Sequence, residues 1–129
     1  MSVSVKLPDL RSATDDYGWA YLLTSGDDRP HVVAVTPVWD GEELRFAVGR
    51  GSARNAGARP AVTLCYPPLE PGGYSLIVDG DALVVGDDAP SIRLTPTGAV
   101  LHRPAAPGSA VGTTGCASDC LPLDSRVPR

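Results

Sequence analysis

Glycine and proline divide the stretch from Arg29 to Tyr66 into pieces too short for a long packed helix. Arg29-Pro30-His31 opens it, and His31 to Pro37 is an apolar, β-branched run. Trp39-Asp40-Gly41 ends that run, and Leu44 to Val48 starts another. Gly49-Arg50-Gly51-Ser52-Ala53-Arg54-Asn55 follows, then Arg59-Pro60, then Ala61 to Tyr66. Short β-branched runs between turn residues read as strands. This stretch therefore predicts strand, turn, strand, basic glycine turn, short helix and strand.

The remainder of the chain carries the same punctuation. Among 129 residues there are 14 glycines, 13 prolines and one phenylalanine, which fits many short strands in one domain. Met1 to Lys6 reads as a frayed end or a short edge strand. Leu7 to Asp16 reads as an amphipathic helix, with Leu7, Leu10 and Ala13 on one face and Pro8 early, where it is tolerated. Trp19 to Ser25 is the first strand, with Trp19 expected in the core, and Gly26-Asp27-Asp28 turns it into the next. A second hairpin turns at Asp40-Gly41. Leu44, Phe46 and Val48 share one face, as do Val62 and Leu64, with Thr63 and Cys65 opposite.

Pro67 to Gly73 is a stiff loop. Tyr74 to Val85 reads as one long strand bent at Asp79-Gly80, where the glycine suggests a bulge. Ser91 to Thr95 and Ala99 to His102 are two short final strands. Residues 1–104 form the folded domain, and residues 105–129, rich in Pro, Ala, Gly, Ser and Thr, form a largely irregular tail. Six or seven short strands and one or two small helices suggest a mainly β fold, a closed antiparallel barrel that hides its strand edges.

Charge narrows the partners. A net charge of −4 and a pI of about 4.9 argue against a nucleic-acid binder, which needs a basic face. The chain shows no apolar run of membrane-spanning length and no leader pattern, so a cytoplasmic protein with no membrane partner is expected. The three cysteines, Cys65, Cys116 and Cys120, do not make a disulfide framework. Cys116 and Cys120 read first as free thiols, then as a reversible disulfide, then as metal ligands, for which too few partners exist.

The turn after Val48 holds the chemistry. Gly49 and Gly51 permit close approach of a ligand to the backbone. Ser52 suits a helix N-cap, and Ala53 to Arg59 a short helix stopped by Pro60. A helix start attracts negative charge, and Arg50 and Arg54 add two cations that can grip phosphate. The plainer alternative is a strand-to-helix turn with solvated arginines. Elsewhere, Trp39 divides evenly between a ligand wall and interface packing, while His31 and His102 read first as structural. Tyr66 and Tyr74 suit either a pocket or an interface, and Asp79 and Asp81 the outside of a bent strand.

Taken together, the order Arg29-Pro30-His31-Val32-Val33-Ala34-Val35, Trp39 with its Asp-Gly turn, Leu44-Arg45-Phe46, Gly49 to Asn55 and Arg59-Pro60-Ala61-Val62 resembles the pyridoxamine 5′-phosphate oxidase-like FMN-binding split barrels. The resemblance covers about Tyr17 to Val85. It implies a six-stranded antiparallel split β-barrel, a homodimer, and a flavin at the dimer interface. It implies a phosphate grip at Arg50, Gly51, Ser52, Arg54 and Asn55, with the ring along Val35, Thr36 and Pro37 and beside Trp39. The strand His31 to Pro37 has no Lys or Arg after His31, unlike the oxidases proper. The chain is more similar to the small flavin or deazaflavin reductases of that superfamily. The implied activity is an FMN- or deazaflavin-dependent oxidoreductase on a small-molecule substrate, with unknown catalytic residues. The alternatives are a non-catalytic dimer that binds a flavin or other planar ligand, or one that has lost its cofactor.

Overall fold

The computed structural model describes residues 1–105. In chain order these form β1 (Ser2–Ser4), α1 (Leu7–Thr14), β2 (Ala20–Ser25), β3 (Pro30–Val35), β4 (Val38–Asp40) and β5 (Glu43–Ala47). Then come α2 (Arg50–Ala58), β6 (Ala61–Tyr66), β7 (Ser75–Val85) and β8 (Ser91–His102). The strands join one antiparallel eight-stranded sheet in the order β3-β2-β6-β7-β8-β5-β4, with β1 paired to β8.

The sheet does not close by hydrogen bonding, because β3 and β4 are its two edges. They are nevertheless consecutive in the chain. Thr36-Pro37 carries the backbone from one edge to the other, and Pro37 has no N–H to contribute to a ladder there. The result is a split barrel, not the fully closed one that composition alone suggested. The run His31 to Pro37 is accordingly divided, with β4 as a separate strand beyond the link. Met1 to Lys6 supplies β1.

The final strand also differs. Ser91 to His102 is continuous, because the irregularity is absorbed as a bulge instead of a break. Asp79 pairs with Gly98 and Gly80 with Pro96, which leaves Thr97 as the extra residue on β8. Gly80, expected to mark the bend, does so for a steric reason. A Cβ there would stand 2.6 Å from Leu94 Cδ2 and 2.6 Å from the Thr95 carbonyl oxygen.

Alternation along the strands puts Leu22, Leu44, Leu64, Leu76, Val78, Ile92 and Leu94 fully inside. The same alternation corrects Trp19. Ala20 is the inward residue, so Trp19 and Tyr21 both lie outside, 43% and 41% exposed, with their rings edge to face at 4.8 Å. Helix α1 buries Leu10, Ala13 and Thr14, while Leu7 stays exposed. Tyr66 and Tyr74 are both core residues. Tyr66 meets Tyr17 edge to face at 5.7 Å, and the Tyr17 hydroxyl donates to the Tyr74 carbonyl at 3.0 Å. Burial pushes the Tyr66 phenol up to about 12.

The N-terminus is tied to the end of β8. Its ammonium donates to the Arg103 carbonyl at 2.6 Å, and Ser2 Oγ lies 2.8 Å from His102 Nδ1. His102 thus helps fasten β1 to β8. Asp79 and Asp81 are exposed, and Thr63 donates to Asp79 at 2.6 Å on the outer face. Cys116 and Cys120 lie outside the described residues.

Candidate functional site

Helix α2 begins earlier than its residue preferences suggested. Gly49 is the N-cap in an extended conformation (φ −82°, ψ 175°), and its carbonyl accepts the first helical bond from the Ala53 N–H at 3.0 Å. Ser52 is therefore the third residue of the helix and not its cap. It is only 2% exposed and faces the sheet with Ala56, one turn on. The N–H groups of Arg50, Gly51 and Ser52 have no acceptor within the helix and point out of its start. No side chain caps this end.

Charge here runs against the usual preference. The helix start carries partial positive charge, which acidic residues normally offset. The first turn of α2 has none and instead carries Arg50, with Arg54 one turn on. Both are exposed and have no ion-pair partner among the described residues. Arg45, Arg59 and Arg93, by contrast, each pair with a carboxylate at 3.4, 2.8 and 2.9 Å.

His31 joins this cluster across the barrel. A Cβ at Gly51 would sit 3.9 Å from His31 Cε1 and 4.0 Å from Nε2, so the imidazole lies against the helix start. Sequence reasoning ranked a structural or surface role for His31 ahead of a cofactor or substrate contact. The signal that could have found it is alternation: His31 shares the inward face with Val33 and Val35, so its ring points toward whatever covers that end of the barrel. In register, His31 pairs with Thr24, which is buried. Asn55 Nδ2 donates to Thr24 Oγ1 at 3.2 Å, so the Asn55 amide fastens α2 to β2.

Val35 is buried against the core, Thr36 is exposed and Pro37 half-buried on the link between the edges. β3 has a ladder only to β2, which leaves backbone groups along its other side. Trp39 is elsewhere. It pairs with Leu44 at one end of β5, whereas α2 starts beyond the other end. Its indole N–H donates to Thr14 Oγ1 at 2.8 Å, and the Arg11 guanidinium covers its ring at 5.3 Å. The structure thus gathers His31, Arg50, Gly51, Ser52, Arg54 and Asn55 around one helix start. Val35, Thr36 and Pro37 lie along the adjoining edge, and Trp39 is engaged with α1. Among the described residues, no group of His, Cys, Asp and Glu is placed to hold a metal ion.

An open antiparallel sheet whose edges meet through one link, with a basic helix start beside it, defines a class. The chain has the fold of the pyridoxamine 5′-phosphate oxidase-like split barrels. Its sequence relatives include the uncharacterized proteins Mb0449c of Mycobacterium bovis and MT0457 of Mycobacterium tuberculosis. Each is 42% identical over 132 residues, covering 91% of this chain and 93% of the relative. No family model matches the sequence.

Among solved structures, an F420 reductase superposes with a TM-score of 0.55 at 28% identity, covering 63% of this chain and 87% of that one. An FAD-binding protein of Mycobacterium smegmatis gives 0.58 at 16% identity, covering 77% and 96%. A Clostridium acetobutylicum protein of the pyridoxinephosphate oxidase family gives 0.56 at 10% identity, covering 71% and 86%. The last two share the fold.

Proposed function

We propose that this chain is a flavin- or deazaflavin-dependent oxidoreductase that acts on a small molecule as a homodimer. The observation that carries the reading is the uncompensated positive charge at the start of α2. Two unpaired arginines on a positive helix end raise the energy of the protein alone, and an anionic headgroup removes that cost. The cofactor of first choice is FMN, with the deazaflavin coenzyme second, which the likeness to an F420 reductase supports.

The residues present fit the phosphate of such a group. The N–H groups of Arg50, Gly51 and Ser52 would hold its oxygens, with Arg50, Arg54 and His31 around them. Asn55 keeps α2 in place through Thr24. The free side of β3 at Val35, with Thr36 and Pro37, would align the ring edge. Trp39 acts at a remove, fixing the β4 side of the Thr36-Pro37 link. When bound, the ring system supplies the electron or hydride transfer.

A second copy would cover the outer face of β2 and β3. Tyr21 pairs with Ala34 there and Leu23 with Val32, and Trp19, Tyr21 and Val32 are exposed. Contiguous exposed apolar residues of this kind favour association.

Titration with FMN, read by flavin fluorescence and by the visible spectrum, tests the reading. Arg54→Ala should weaken FMN binding about tenfold, since a charge-assisted bond contributes roughly 1.5–3 kcal/mol. Riboflavin, which lacks the phosphate, should bind equally to both proteins. If neither FMN nor the deazaflavin changes the spectrum, the reading fails. Turnover with a nicotinamide reductant separates an enzyme from a carrier, and light scattering measures the dimer.

A further inference from the structure

A cavity of about 440 Å³ lies between α1, the β4–β5 turn and the bulge of β8. Its walls are Leu7, Leu10, Trp39 and Pro96, with Arg11 and Glu42 at the rim. Leu7 is 45% exposed on this side, an unusual position for a large apolar residue in a helix that otherwise packs inward. The cavity is at the far end of β5 from the basic helix start, and of its walls only Trp39 enters the cofactor reading, at a remove.

We propose that this groove is the docking site for the chain's own segment Leu121-Pro122-Leu123, which lies beyond the described residues. Three features point to it. The groove is apolar, and Leu121 and Leu123 are the two leucines in residues 106–129. Charge is complementary in kind, since the segment is flanked by Asp119 and Asp124 and followed by Arg126, while the groove carries Arg11 and Glu42.

Reach is sufficient as well. The described chain ends at Ala105, and Pro96 in the groove wall lies nine residues earlier on the same strand and its exit. That separation is at most about 30 Å at strand rise. The sixteen residues from Ala105 to Leu121 span up to about 54 Å. A tethered segment also needs little intrinsic affinity, because its effective concentration is on the order of millimolar.

The test uses the full chain with Cys65→Ser and Cys116→Ser, and a bimane fluorophore on Cys120. Tryptophan quenches bimane on contact, so docking beside Trp39 dims it. The emission is expected to rise at least about twofold in Leu121→Ser/Leu123→Ser, with an unchanged circular dichroism spectrum, as detachment of a tethered segment requires. The same rise is expected in Trp39→Phe, which keeps an aromatic ring in the wall. Equal emission in all three proteins overturns the proposal. Quenching that deepens across about a hundredfold range of protein concentration also overturns it, because the occupant is then a second copy.

Discussion

The two ends of β5 have been built on opposite terms. At the Leu44 end, Trp39 and the Arg11 beside it are both engaged within the chain. The indole N–H is held by Thr14, the ring is covered by Arg11, and Arg11 in turn donates to the Gly41 carbonyl at 2.6 Å. At the Ala47 end, the start of α2 has no side-chain cap, no acidic residue and two arginines without ion pairs among the described residues. The first end is arranged for stability. The second forgoes stability that a single carboxylate would supply, and such local conflict marks places where a chain is shaped for something other than folding.

The largest effect should come from attacking the satisfied end. Trp39→Ala removes a half-buried indole and leaves the buried Thr14 hydroxyl without its donor. It should cost about 3–5 kcal/mol, visible as a lowered denaturant midpoint. The ratio of FMN to riboflavin affinity should not change, and a collapse of that ratio would mean that the two ends are not independent.

Asn55→Ala tests the clamp beneath the open end. It strips Thr24 of its partner in a buried setting, and the expected loss is about 1–3 kcal/mol by chemical unfolding. A smaller loss of anion affinity should accompany it, as α2 loosens on β2.

Arg50→Asp separates the two regimes most cleanly. Placing a carboxylate in the first turn of α2 should raise stability by about 0.3–1 kcal/mol at low salt. The same change should abolish phosphate-dependent binding. A variant that is both less stable and fully able to bind FMN would show that the positive cluster has been misread.

At neutral pH the last effect is silent, because it concerns alkaline pH. The Tyr66 phenol is raised to about 12 in the folded protein, against an ordinary value near 10. A raised acid favours the folded state while it is protonated. Its contribution is therefore complete below pH of about 10 and is lost as pH rises toward about 12. Unfolding curves taken across that window should show a decline that Tyr66→Phe lessens.

Much of the fold was legible because β structure writes its faces into the sequence. Leu44, Phe46 and Val62, Leu64 alternate with outward neighbours, the expected hairpin turn falls one residue on at Gly41-Glu42 with Gly41 at φ 63°, and Gly80 marks the bend. Errors arose where two signals competed. Trp19 looked like core by size, but the period of two gave the inward place to Ala20. Ser52 looked like a cap by residue type, but the extended backbone of Gly49 started the helix first. Ser91 to Thr95 and Ala99 to His102 looked like two strands, but a bulge opposite Asp79-Gly80 keeps them one.

Residue chemistry along the chain was enough to fix short antiparallel strands and a basic glycine turn, since alternation, proline and glycine act within a few residues. Long-range register decided the rest. Only pairing His31 with Thr24 sets an imidazole against Gly51, and only the crossing at Thr36-Pro37 leaves the barrel split beside the basic turn. Contacts between residues far apart in the chain depend on which strands become neighbours, and local preference carries no information about that.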